Sequence, residues 1–322
     1  MNAAGCRVRN ADILSAGLSL VELLVSMTIG MVVLIAVSSA YLSGLTMQRT
    51  HSDIGHLQES SRFAFELLSR AVRRAGYRNT YEVYPAGANG GRAFEFCTSG
   101  VGVSGPQFVS MNDPVAIDPT ASNLLGGSVT ISNLSDVLRV RYFGEDVAAG
   151  TAADGAVQDC LGNPVRRGGT AVSLADGPSP GEDTLYVAVD ATTDPANPQP
   201  TLFCRSSVDG GAGVPLIPGV ESMQIIYGED IDSDGRIDRY VPFNLVANPD
   251  NVYSTMFSLV LATPNAVAID LVSRTFNHFG TNYAAGNVAP AGDAGSVYVS
   301  PADGKIRLHV STTVAFRNFR QC

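Results

Sequence analysis

The sequence predicts an α+β protein, with one long N-terminal helix packed on a mostly antiparallel β-sheet domain that carries large loops. Three observations predict it. Apolar residues concentrate in one run near the N-terminus, and a stripe of helical period continues after that run. Beyond it the pattern changes to short alternating segments separated by Gly, Pro, Asp and Ala. Composition agrees: the 322 residues are 45% hydrophobic and 16% charged, enough to build a core and too apolar for a disordered chain. The net charge of -9, with Lys305 as the single lysine, supplies no basic stripe, so no nucleic-acid partner is expected.

The helix comes first. Met1 to Gly17 carries Arg7 and Arg9 against one acid, Asp12. Leu18 to Leu42 follows, an apolar run whose single charge is Glu22. A bilayer core needs about 20 apolar residues in a helix, so this run is long enough to cross. The preceding arginines favour a cytoplasmic N-terminus and place everything after Leu42 on the other side.

A charge inside a membrane helix costs about 2.5–3.5 kcal/mol on insertion scales, so Glu22 needs an explanation. One is that it sits near the cytoplasmic end and snorkels. The other requires a cut after Gly17. Leu18 then carries a free amine, largely protonated with an ordinary pKa of about 8, and Glu22 lies four residues on along the same face. The carboxylate also complements the helix dipole. In a bundle of parallel helices it can take a neighbour's amine instead. A rival reading sets an ordinary signal-peptidase cut after Ser38-Ser39-Ala40, before Tyr41, although the apolar run ahead of it is long for a signal peptide and holds Glu22.

From Gly44 to Ala75 there is no proline. Leu57, Ala64, Leu68, Ala71 and Ala75 form an apolar stripe, and Glu59, Arg62, Glu66, Arg70 and Arg73 form a charged face of alternating sign. Gly76 is a natural stop. The predicted organisation is a leader over 1–17, a helical segment over 18–78 (18–42 crossing the membrane, the remainder amphipathic), and a globular β-rich domain over 79–322.

Within that domain the strand candidates are Val137–Tyr142, Leu185–Val189, Leu202–Arg205, Met223–Tyr227, Phe257–Ala262 and Leu308–Phe316. Loops fall at Val147–Asp159 and Asp190–Pro200. Outside the leader, which holds Cys6, four cysteines remain: Cys97, Cys160, Cys204 and Cys322. Outside the cytoplasm an even number implies disulfides, and four allow three connectivities. The expected pairs are Cys160–Cys204 and Cys97–Cys322, the alternative being one bridge and two free thiols. With no CxxC, structural zinc is not expected.

The acidic segment Asp230-x-Asp232-x-Asp234-Gly235-x-x-Asp238 has calcium-loop spacing. Its first, third and fifth positions offer carboxylates, Arg236 a backbone carbonyl, and Asp238 a direct or water-mediated contact, with Gly235 at the sharp turn. Val241 stands where a bidentate Glu would be. Either another acid such as Glu229 or Glu221 supplies it, or the affinity is weak, as in extracellular modules working at about 10⁻⁴–10⁻³ M. The alternative is a solvated Asp/Gly turn between strands. The sequence contains no GxSxG, HExxH, phosphate loop or dinucleotide fingerprint, and His51, His56, His278 and His309 are scattered, so an enzyme is not expected.

Two resemblances follow. Gly17-Leu18-Ser19-Leu20-Val21-Glu22-Leu23, after a short basic leader, resembles the class III signal of type IV prepilins. The resemblance implies that a prepilin peptidase cuts after Gly17 and methylates Leu18, and that Glu22 is the assembly carboxylate. Leu18 stands where Phe is usual. Ser39 replaces the helix-breaking Pro of major pilins, which favours a minor pilin or pseudopilin. Gly219-Val220-Glu221-Ser222-Met223-Gln224-Ile225-Ile226-Tyr227-Gly228 with the acidic segment is similar to the PilW-type minor pilins, as are Asp136–Tyr142 and Thr312–Asn318. This implies a pilin-like fold and a subunit that primes assembly of a type IV pilus or caps its tip. Its implied partners are other minor pilins, the major pilin and a large tip adhesin. It implies an inner-membrane protein with a periplasmic globular domain before assembly, and a place in the pilus at the cell surface after it. A minor pseudopilin of a type II secretion system is the related alternative. A membrane-anchored calcium-dependent binding module is the alternative of another class.

Overall fold

The computed structural model describes residues 19–77, 108–111, 131–147, 152–166, 181–190, 198–208, 213–248, 251–266, 271–283, 293 and 295–317. The chain divides into two compact units, Met1–Ser52 and Asp53–Cys322. The first unit contains the beginning of α1 (Leu20–Arg74), a helix of 55 residues. Its apolar run is exposed on every side, with Leu20, Met31 and Leu34 all above 60% accessible. Hydroxyls inside the run bond back to the helix itself: Ser26 to the Leu23 carbonyl at 2.9 Å, Thr28 to Val25 at 2.8 Å and Ser39 to Ala36 at 2.9 Å. A segment that presents apolar surface all round and satisfies its own polar groups is suited to lipid or to other apolar helices.

In the second unit the last turns of α1 become amphipathic. Leu57, Ala64, Leu68, Ala71 and Ala75, the stripe read from the sequence, are all buried, together with Ser61 and Val72. The exposed face carries the pair Glu66–Arg70 at 3.6 Å. The helix stops at Gly76, whose φ of 71° is the left-handed conformation that glycine adopts without strain. The Gly76 N–H then donates to the Arg141 carbonyl at 2.8 Å, tying the helix end to a strand.

Eleven strands are described, all paired antiparallel. A five-stranded sheet holds, in spatial order, β1 (Phe108–Met111), β2 (Val137–Tyr142), β3 (Gly181–Asp190), β4 (Gln199–Ser206) and β5 (Val214–Pro218). A four-stranded sheet has β11 (Lys305–Ala315), β8 (Val252–Ala266), β6 (Val220–Glu229) and β7 (Arg239–Val241) side by side. A small hairpin pairs β9 (Thr275–Asn277) with β10 (Val297–Val299).

Alternation along the strands sets the layers. Leu138 and Val140 of β2, Leu185 and Val187 of β3, Met223, Ile225 and Tyr227 of β6, and Phe257, Leu259 and Leu261 of β8 join the buried face of α1 in one core. The residues between them face away. On the five-stranded sheet, Tyr186 stacks on Phe203 at 5.4 Å with Val137 and Ala188 beside them. On the four-stranded sheet, the opposite face carries Ser222 and Ser258 beside Ile226 and Met256, and His278, Phe279 and Tyr283 lie against it. There His278 bonds through its two ring nitrogens to Ser258 Oγ at 2.9 Å and Ser222 Oγ at 3.0 Å. Burial, and then the neighbouring His309, pushes the His278 imidazole down to about 3, so it is neutral there. Arg307 fastens the edge of this layer, holding Glu221 at 2.6 and 2.9 Å and Asp303 at 2.7 and 2.8 Å. Tyr298 donates to the same Glu221 at 2.8 Å.

Candidate functional site

Two places carry the residues singled out by sequence. The first is the start of α1. Gly17 and Leu18 lie outside the described residues, whereas Glu22 stands in the first turn of the helix. A carboxylate there faces the orphan N–H groups and the positive end of the helix dipole.

The second place is the hairpin turn between β6 and β7. Glu229 pairs with Arg239 across the strands, so the turn is closed by sheet registry on both sides. Its carboxylates organise the turn. Asp230, fully buried, accepts the Ser233 N–H at 2.7 Å and the Gly235 N–H at 2.8 Å. Asp232 accepts from Asp234 N at 3.2 Å, Asp234 from Arg236 N at 2.8 Å, and Asp238 from Ile231 N at 2.7 Å. Ser233 (φ 62°) and Gly235 (φ 86°) take left-handed conformations, which is why a glycine stands at the second of them. Asp230, Asp232 and Asp238 each bring one oxygen within 4.8 Å of the others. The Asp232 carboxyl is raised. The N–H of Asp234 pulls it down, but desolvation and the carboxylates of Asp234, Asp238 and Asp230 together outweigh that bond. Such mutual repulsion is what a bound cation would relieve.

Neither acid named as a stand-in for the missing Glu reaches this turn as a free ligand. Glu229 gives one oxygen to Arg239 at 2.8 Å and the other to the N–H groups of Ala247 and Asn248 at 2.6 and 2.8 Å. Glu221 is taken by Arg307 and Tyr298. Val241, at the vacant ligand position, is a buried β7 residue. The physical reason is the same in both cases: a buried carboxylate must be paired, and the nearest arginines already do it.

The structure joins Cys160 to Cys204, with Cα atoms 6.3 Å apart. The bridge ties the Asp159–Asn163 turn to β4. Asp159 holds that turn through Leu161 N at 2.9 Å and Asn163 N at 2.7 Å. Cys97 and Cys322 lie outside the described residues.

Sequence reading missed the cluster at the end of α1. Arg74 bonds the buried Asp183 of β3 and the Gln158 carbonyl, and its guanidinium lies 4.2 Å from the centre of the Tyr142 ring. As the second of two arginines at a helix end it looks like a solvated cap, and no spacing signal links it to a β3 residue more than a hundred positions later.

Comparison with known proteins bears on the second unit. A type IV-like pilin from Thermus thermophilus is similar in structure at 15% identity and a TM-score of 0.37, over 82% of this chain and 97% of that one. No curated protein matches the chain. Residues 184–318, from within β3 to just past β11, match the family model described as Type IV Pilus-assembly protein W, PilW. The family to which the Gly219–Gly235 segment and Thr312–Asn318 pointed is therefore the one whose model this region matches.

Proposed function

We propose that this chain is a minor pilin, cut after Gly17 by a prepilin peptidase and methylated on Leu18, that helps prime assembly of a type IV pilus or caps its tip. The observation that carries this reading is one helix that begins with Glu22 as the lone charge in an exposed apolar run and ends buried under a PilW-matching sheet domain. The apolar run anchors the subunit in the inner membrane, with the globular domain periplasmic, until it joins a bundle of like helices. Glu22 then takes the Leu18 amine of its own or a neighbouring chain and sets the stagger. The partners are other minor pilins, the major pilin and a large tip adhesin. The role is structural, without a catalytic step. A minor pseudopilin of a type II secretion system shares this chemistry and differs in the filament it joins.

The test is Glu22→Ala in cells lacking the wild-type gene. The variant should accumulate in the membrane at normal level and fail to restore surface pili. Restored piliation would remove Glu22 from assembly and favour a membrane-anchored binding module.

The acidic turn belongs to the same proposal. Asp230, Asp232, Asp234, the Arg236 carbonyl and Asp238 would hold calcium weakly, at about 10⁻⁴–10⁻³ M. In detergent-solubilised protein, millimolar calcium should protect the 230–238 turn from proteolysis. Asp232→Ala with Asp234→Ala should abolish that protection. Equal cleavage with calcium and with chelator would leave a plain Asp/Gly turn.

A further inference from the structure

The described sheet edges of this molecule are unequal. β1 has four residues, β7, β9 and β10 have three each, and β5 carries Pro215 and Pro218. Short strands and prolines are devices that keep an edge from pairing with another chain. β11 has neither. It runs for eleven residues, Lys305–Ala315, at the end of the four-stranded sheet, with β8 on one side and no described strand on the other. From Leu308 to Ala315 it holds no Pro, Asp, Glu, Lys or Arg. Its one shift of register lies between Lys305 and Arg307, ahead of that stretch.

One bond sets the direction of its backbone groups. The Phe316 N–H donates to the Tyr253 carbonyl at 3.0 Å, one step beyond the pair Ala315–Ser254. In an antiparallel pair, successive residues alternate between turning both backbone groups to the partner and turning both away. The even-numbered residues from Leu308 to Val314 therefore bond β8. His309, Ser311, Thr313 and Ala315 turn N–H and C=O outward, and all four residues are exposed. The core also thins at this edge. Leu308 and Val310 are only partly buried, whereas Leu261 and Leu259, opposite them in β8, are fully buried.

The strand that fits such an edge is uncharged, apolar at alternate residues and of matching length. β11 itself meets all three conditions. A two-fold axis at Ser311 sets Leu308 against Val314 and Val310 against Thr312 on the core side, and His309 against Thr313 on the other. Outward-turned residues then face outward-turned residues, so their N–H and C=O groups pair across the axis. Arg307, already held by Glu221 and Asp303, falls opposite Ala315. Moving the axis to Thr312 would set Arg307 against Arg317, and like charges directly opposite are destabilising. We propose that β11 is a self-pairing edge, through which two copies of this chain join their four-stranded sheets antiparallel about a two-fold axis at Ser311. A single pair of strands buries little beside a standard interface, so the dimer is weak and reversible.

The experiment follows the full chain in detergent by sedimentation over a concentration series. The proposal expects a monomer–dimer equilibrium. Ser311→Lys brings two lysines face to face at the axis and should raise the dimer Kd at least about fivefold. Ser311→Glu should do the same, and an equimolar mixture of the two variants should associate again. Both variants should melt with the wild type, because Ser311 is exposed. Thr313→Pro, which removes an outward N–H and no bond to β8, should also weaken the dimer. A chain that is monomeric at every concentration would overturn the proposal. So would a dimer that both Ser311 variants leave unchanged, because the contact would then lie elsewhere, as along the apolar helix. So would two weakened variants whose mixture stays monomeric, because Ser311 would then not face itself. None of these results touches the pilin reading, which rests on Glu22 and the apolar helix.

Discussion

At the scale of single residues, Arg74 is the side chain whose loss should matter most to the fold. It is 11% exposed, and its partner Asp183 is fully buried. Removing one member of a buried pair leaves an uncompensated charge, at a cost of about 3–5 kcal/mol. Arg74→Met should therefore lower stability by roughly that amount in a denaturant titration. The pH dependence has a definite sign. Burial pushes Asp183 up to about 6, although Arg74 pulls it down. A carboxyl raised on folding adds stability below its unfolded value and loses that contribution as pH rises through its folded one. Without Arg74 the folded value climbs further. The Tm of Arg74→Met should then keep falling between about pH 6 and 8, where the wild type has levelled off. Melts across that range check it. Neither Arg74 nor Asp183 was legible in the sequence as a partner of the other. Each gains its role from a contact between elements distant in the chain, and an isolated Asp or Arg reads as surface. The Asp/Gly turn at 230–238 was legible because its hydrogen bonds run between near neighbours in the chain.

At the scale of elements, the helix is the part best specified by local pattern. The stripe from Leu57 to Ala75 is the buried face of α1. Leu68→Ala should create a cavity and cost about 2–5 kcal/mol, while Phe63→Ala, on a 54% exposed side chain, should change stability by less than about 0.5 kcal/mol. Unfolding of the two variants side by side measures the contrast. Strands β2, β3, β4, β6, β8 and β11 were readable because one face is apolar and the period is two. β9, β10 and β7 have three residues each, too few to show a period. β5 carries Pro215 and Pro218 and so reads as a breaker. It exists as an edge strand, where a missing N–H is tolerated. The Cys160–Cys204 bridge links a turn to β4 across 44 residues. Its removal by Cys160→Ser with Cys204→Ser should cost about 2–4 kcal/mol, and the double variant should melt alike with and without reductant.

At the scale of the whole molecule, an apolar helix that wants a non-aqueous partner continues into a stripe that shares one core with a region matching the PilW family model. The sequence made the sheet class legible but left the strand order open, because pairing depends on long-range contacts that local alternation does not encode. The same holds for function. In the proposed reading the segment around Gly17 and Glu22 directs the chain to a filament, and the choice of filament rests on surfaces that recognise other subunits. All of it depends on where the mature chain begins. The most direct measurement is the intact mass and N-terminal sequence of the protein purified from membranes. The account predicts a chain that starts at Leu18 with a methylated amine. A chain that starts at Tyr41, without the apolar run, would contradict it and make the protein a secreted one that enters no filament.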